Sequence, residues 1–142
     1  MTQEHKQLLL KDLCARLPYG VYVLVHDTFE YSTVPFEKVY LKSSDISSLI
    51  DSISLNERYN SKDKRFNRII KERKDFLEFK PYLFPLSSMT EEQEKECQQI
   101  KYSYHYDDDS FVLFDWYNKN HFDYRGLIPM GLAIDATDLN IY

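Results

Sequence analysis

The chain of 142 residues is poor in glycine, proline and cysteine, with 3, 5 and 2 of each. Each shortage excludes something. The three glycines fall in no P-loop or dinucleotide-binding spacing, which argues against a backbone cradle for phosphate. So little glycine and proline also excludes a fibrous repeat. Cys14 and Cys97 lie far apart and form no C-x-x-C pair, so no disulfide framework is encoded. Both read as free thiols of a reducing compartment. Long apolar runs are missing as well. Leu8-Leu9-Leu10 is cut by Lys11-Asp12, too short for a signal peptide. Residues 21 to 25 fall far short of a membrane span. The expected location is the cytoplasm, without a membrane partner.

What is abundant is aromatic. There are 12 Tyr, 9 Phe and 1 Trp, 15% of the chain, in a sequence that is 43% hydrophobic and 29% charged. Such a composition buries a core and is not that of a disordered chain. The length suits a single domain over residues 1–142. The net charge of −5 argues against a dedicated nucleic-acid binder. The charge is unevenly spread, however. Arg58, Lys62, Lys64, Arg65, Arg68, Lys71, Arg73 and Lys74 stand against Asp63 and Glu72, a local excess of +6 that leaves −11 for the rest.

Helical spacing of Leu9, Leu10, Leu13, Cys14 and Leu17 predicts a helix over residues 2–17, capped by Thr2 and stopped by Pro18. Residues 19–26, rich in Tyr and Val, predict a central strand. Residues 31–36, interrupted by Pro35, read as an edge or loop, residues 39–41 and 50–55 as short strands, and residues 59–63 as a polar turn. The basic stretch fits a helix or a strand, and the strand is favoured because the preceding turn joins two runs of β-formers. Pro81 and Pro85 force an extended connection around Tyr82-Leu83-Phe84. Thr90-Glu91-Glu92-Gln93 is a capping box that opens a mostly exposed helix to about residue 100. Tyr102, Tyr104 and Tyr106 alternate as in a short strand. A last helix follows, with Phe111, Phe114, Tyr117 and His121 on one face and Trp116 at its edge. Gly126 is its expected left-handed cap. Burial of that face on the sheet would make Phe114 a core residue. Asp123 and Arg125 would clamp the reversed backbone, and Leu127, Ile128 and Leu132 would close the core edge. The fold class is α+β: an N-terminal helix, a small antiparallel sheet or partly closed barrel, and two C-terminal helices covering one face.

Two passages carry a resemblance. They are Lys80-Pro81-Tyr82-Leu83-Phe84-Pro85-Leu86-Ser87-Ser88-Met89-Thr90-Glu91-Glu92 and His121-Phe122-Asp123-Tyr124-Arg125-Gly126-Leu127-Ile128, the latter continuing to Gly131-Leu132-Ala133. With the opening helix and Leu17-Pro18-Tyr19-Gly20, they resemble a family of short uncharacterised proteins encoded in gut Bacteroidales genomes, often near phage-like or mobile regions. The resemblance covers about a third of the chain and implies an accessory role. It assigns no catalytic, cofactor-binding or metal-ligating residue.

The residues add little catalytic chemistry. His5, His26, His105 and His121 show no helical zinc spacing. A metal site could be assembled from His105, Asp107, Asp109 and His121, but acids before a helix are favoured as N-caps anyway. Ser43, Ser44, Ser87 and Ser88 read as turn residues, and Cys14 as inert core. The expected function is that of a small cytoplasmic accessory protein, non-enzymatic, with a protein partner. The alternative is a nucleic-acid-associated protein using residues 58–74, where Tyr59 and Phe66 interleave the cations. A third reading is a small metal-dependent enzyme. If the basic stretch is a solvated face, replacing Arg65, Arg68 and Lys71 with Gln shifts the unfolding free energy by less than about 1 kcal/mol in a urea titration. A larger loss would mean that these side chains are packed.

Overall fold

The computed structural model describes residues 2–27, 37–43, 77–103 and 110–142. The expectations for residues 28–36, 44–76 and 104–109, the whole basic stretch among them, lie outside the described residues.

Helix α1 (Gln3–Arg16) begins as its sequence dictates. The Thr2 hydroxyl accepts from the His5 backbone N–H at 3.1 Å, with Glu4 in the first turn. Strand β1 (Val21–Asp27) is central. It pairs antiparallel with β2 (Glu37–Leu41) on one side and β3 (Leu77–Leu83) on the other. A short β4 (Ile134–Asp135) adds to β3 in parallel, giving the order β2-β1-β3-β4. The sheet is open, so of the two expected forms it is the sheet and not the barrel that forms. The first half of the proline-flanked connection is itself a strand. Pro81 sits opposite Val23, and pairing with β4 starts only past it, at Tyr82. A proline is tolerated where the ladder is incomplete.

The inner face of the sheet presents Val21, Val23, Val25, Val39, Leu41 and Phe79 to Leu9 and Leu13 of α1 and to Leu17 at its C-cap. Helix α1 therefore covers this face, not the C-terminal pair as expected. The surprise in α1 is polar. Asp12 and Arg16, one turn apart, are both fully buried. Arg16 Nε donates to Asp12 Oδ2 at 2.7 Å and Nη2 to Oδ1 at 3.0 Å. The same Nη2 reaches the Phe122 carbonyl at 2.8 Å, and Arg125 Nε donates to Asp12 Oδ1 at 3.2 Å. One bidentate pair thus staples the first helix to the C-terminal turn.

The capping box opens α2 (Glu91–Ser103) with both expected bonds. Gln93 N–H donates to Thr90 Oγ1 at 3.2 Å, and Thr90 N–H donates to Gln93 Oε1 at 2.9 Å. The helix runs through Ser103, so Tyr102 is helical and exposed rather than part of a strand. Helix α3 (Ser110–Lys119) packs against α2 and α1. Its expected apolar face is not the buried one. Phe111 is 77% exposed and Phe114 43%, while Tyr117 is buried. Leu113, Trp116 and Tyr117 turn inward instead, onto Cys97 and Phe122. Trp116 stacks on Phe122 with ring centroids 5.5 Å apart.

Helix α3 ends at Lys119, before His121, which adopts the left-handed conformation at φ 59°. His121 N–H donates to the Asn118 carbonyl and Phe122 N–H to the Tyr117 carbonyl. That is the Schellman pattern, with His121 where Gly126 was expected. Gly126 lies in the next turn. There the buried Asp123 carboxylate accepts from Leu127 and Ile128 N–H, both at 2.8 Å. Leu127, Leu132 and Ala133 then pack on Leu83, with Ile128 at the margin, as the sequence implied.

These contacts rank substitutions. Arg16→Leu leaves the buried Asp12 carboxylate short of its main partner and costs about 3–5 kcal/mol by chemical denaturation. Phe122→Ala costs a similar amount, about 3–5 kcal/mol. Phe114→Ala, at a half-open site, costs only about 1 kcal/mol.

Candidate functional site

Alternation along a strand sends successive side chains to opposite faces. With Val21, Val23 and Val25 inward, Tyr22 and Leu24 point outward. The register places Tyr40 opposite Tyr22, and both Lys38 and Lys80 opposite Leu24. Tyr82 follows two residues after Lys80 on the same side, and Lys42 continues the parity just past β2. No described helix packs over this outer face. Its described charged side chains in β2 and β3 are lysines, and by register Glu78 holds the remaining β3 position, opposite His26.

The rings and cations are interleaved. Tyr22 and Tyr40 lie 4.7 Å apart between centroids. Lys38 Nζ stands 4.9 Å over the Tyr22 ring and Lys42 Nζ 5.7 Å over the Tyr40 ring, both within cation–π range. Tyr142 adds a further ring, 5.5 Å from Tyr22 and 5.8 Å from Phe84. Its hydroxyl accepts from the Tyr22 backbone N–H at 3.1 Å and donates to the Tyr82 carbonyl at 2.9 Å, bridging β1 and β3 where their own ladder has ended at Val23 and Pro81. Burial pushes the Tyr142 phenol up from its ordinary pKa, so it stays protonated and keeps that bond. Tyr40 remains 39% exposed, yet its hydroxyl donates to the Tyr19 carbonyl at 3.3 Å. That pose depends on Gly20, at φ +77°, because a Cβ there would sit 2.0 Å from the Tyr40 hydroxyl oxygen.

His121 stacks on Tyr142 at 3.7 Å and 12° between planes. Burial, helped by the nearby Arg16 charge, lowers its pKa to about 4. The imidazole is neutral at physiological pH, and its Nδ1 is buried without a hydrogen-bond partner, as are Arg16 Nη1 and Asn118 Oδ1. Between α2 and α3 an open cleft of about 330 Å³ is lined by Glu96, Gln99, Ile100, Ser103 and Trp116. The Trp116 ring N–H already donates to Glu96 at 3.2 Å.

Of the residues singled out from sequence, Arg58, Lys62, Lys64, Arg65, Arg68, Lys71, Arg73, Lys74, His105, Asp107 and Asp109 lie outside the described residues. Among the described residues no group of three His, Cys, Asp or Glu is placed to hold a metal ion. Cys14 and Cys97 are free thiols. Burial raises the Cys14 pKa, which disfavours the reactive thiolate. Cys97 lies 3.4 Å from the Tyr117 hydroxyl. Ser43 donates to the Leu17 carbonyl and Ser88 to the Pro85 carbonyl. Arg125 clamps α1 through Asp12 rather than its own turn. The tyrosine–lysine face escaped the sequence reading, although its signal was present in the period-2 pattern Lys38-Val39-Tyr40-Leu41-Lys42 and again in Lys80-Pro81-Tyr82.

No family model, no curated protein and no solved structure matches the chain. Among the described residues, no helix is long and apolar enough to cross a membrane.

The low His121 pKa has a sign. The unfolded chain takes up a proton near pH 6.5 that the folded chain refuses until about pH 4. Stability is therefore full above pH 6.5, falls as the pH drops toward 4, and levels off below. Denaturation midpoints across this range should show that loss. His121→Asn, which tolerates the left-handed backbone, should remove this component of the slope.

Proposed function

We propose that this chain is a non-catalytic accessory protein that works by binding, and that a polyanionic partner meets the outer face of its sheet. The observation that supports the reading is the grouping of Lys38, Lys42 and Lys80 among Tyr22, Tyr40 and Tyr82 on an open sheet face. In a chain whose net charge is −5, these lysines concentrate anion attraction on one face of the sheet. The aromatic neighbours supply apolar contact area at low entropic cost. Two free cysteines suit a reducing cytoplasm. The resemblance of the Lys80–Glu92 and His121–Ile128 passages to short proteins of gut Bacteroidales and their mobile elements suits an accessory role.

A protein partner is the second reading, and it has a separate address. Phe111 and Phe114 leave an aromatic patch open on α3 beside Tyr124, 5.2 Å from Phe114. Exposed aromatics of this kind are typical interface anchors. On that reading, Phe111→Ser with Phe114→Ser abolishes a protein complex and leaves polyanion binding intact.

Retention on immobilised heparin tests the main reading. The wild-type chain is expected to be retained at ~50 mM salt and released as salt rises. Lys38→Glu with Lys80→Glu is expected to flow through. Loss of retention in the Arg65→Gln, Arg68→Gln, Lys71→Gln variant, with none in the Lys38/Lys80 variant, would move the site to the basic stretch. Flow-through of the wild type would end the reading.

A further inference from the structure

We infer that the polyanion accepted by this face is single-stranded nucleic acid, held through its bases as well as its phosphates. The inference rests on the polyanion-binding reading of the same face and adds what the rings are for. A duplex meets a protein surface mainly through its phosphates, and an acidic sugar packs C–H groups on an aromatic side chain where a base offers a flat π-face. This face pairs cations with flat rings: Lys38 with Tyr22, and Lys42 with Tyr40. A single strand offers both complements, since every base has a π-face that stacks on an aromatic side chain while its phosphate meets a cation. In a duplex the bases are already stacked on one another, so the tyrosines would have nothing to take.

The geometry is prepared for that use. Tyr22 and Tyr40 sit on adjacent strands of an open sheet, so neither ring is enclosed by a barrel wall. The Tyr40 hydroxyl is anchored to the Tyr19 carbonyl and its ring rests over Gly20. The Tyr142 hydroxyl is likewise tied to Tyr82. Rings fixed at their far ends lose little freedom when a base lands on them, which is the advantage of a preorganised surface. The described outward side chains of the platform are phenols, ammonium groups and Leu24, and the Tyr40 and Tyr142 hydroxyls are already engaged with backbone carbonyls, which leaves few groups to read base edges. Binding is therefore tolerant of sequence. With three lysines meeting phosphates, log K should fall against log salt with a slope of about −2, from the single-strand coefficient of about −0.7 per contact.

Fluorescence anisotropy on the full chain tests this with a labelled oligothymidylate of about a dozen residues, its ribose counterpart and the matching duplex. Either single strand is expected to bind with Kd of ~1–100 μM at ~50 mM salt, and the duplex about tenfold more weakly or worse. Tyr40→Leu removes a ring while keeping an apolar side chain. It should weaken single-strand binding about 5- to 100-fold and shift heparin retention far less, because all three lysines remain. Tyr22→Leu is a second ring variant, and a thermal melt shows that each is folded. Lys38→Gln with Lys80→Gln should bring the salt slope from about −2 to about −0.7. Equal binding of single strand and duplex, or folded ring variants that bind as wild type, would overturn the base-stacking inference while heparin retention upholds the polyanion reading. Failure to bind any oligonucleotide with heparin retention intact does the same. Failure to bind either brings down both. Loss of oligonucleotide binding in the Arg65→Gln, Arg68→Gln, Lys71→Gln variant, with none in the face variants, also overturns the inference.

Discussion

The Asp12–Arg16 pair is the constraint on which the rest of the fold hangs. Two charges with no solvent exposure cost several kcal/mol each to bury and are tolerated when they pair and most of their hydrogen bonds are met. The bidentate bond meets part of that need, and the Phe122 carbonyl and Arg125 guanidinium meet more. Those partners come from the far end of the chain. Once α1 has packed Leu9, Leu13 and Leu17 on the sheet, its polar side chains require residues 122–125 to sit beside it. That positions the Schellman turn and the Asp123 clamp, and with them the second core cluster around Leu83 and Leu127. The pair contributes specificity of arrangement rather than net stabilisation, in the sense that a misplaced C-terminal turn would leave a buried charge unmet.

Two groups of aromatic residues sit in contrasting surroundings. Trp116, Tyr117 and Phe122 form an interior cluster with Cys97. Tyr22, Tyr40, Tyr82 and Tyr142 occupy the outer sheet face, where the Tyr40 and Tyr142 hydroxyls find backbone partners. The division follows chemistry: phenol oxygens need hydrogen bonds, which a sheet face and its margins supply more readily than a helix interface. Tyr117 is the exception inside, and its hydroxyl finds the Cys97 sulfur.

Local rules made several elements legible. The Thr2 cap, the Thr90–Gln93 capping box and the Val-rich central strand all act within a few residues and appear as read. Asp123 as a clamp was also legible, because an aspartate before a reversal can satisfy nearby N–H groups. The α3 face was not. Phe111, Phe114 and Tyr117 satisfy helical spacing as well as Leu113, Trp116 and Tyr117 do. Periodicity cannot choose between two stripes about one residue apart. Nor could it find the end of α3, because a left-handed residue is ordinarily read from glycine and here it is His121.

The sequence by itself determined the α+β class, the helix starts and the alternation that puts lysine and tyrosine on one side of β2 and of β3. Each of these depends on contacts within a turn of helix or along one strand. The tertiary structure alone decided that three strands far apart in the chain bring Tyr22, Tyr40 and Lys80 together. It also decided that α1 rather than the C-terminal helices covers the inner face, and that Asp12 and Arg16 are interior rather than solvated. Those outcomes rest on which surfaces meet, and burial, unlike spacing, is a property of pairs of elements that no single stretch of chain contains.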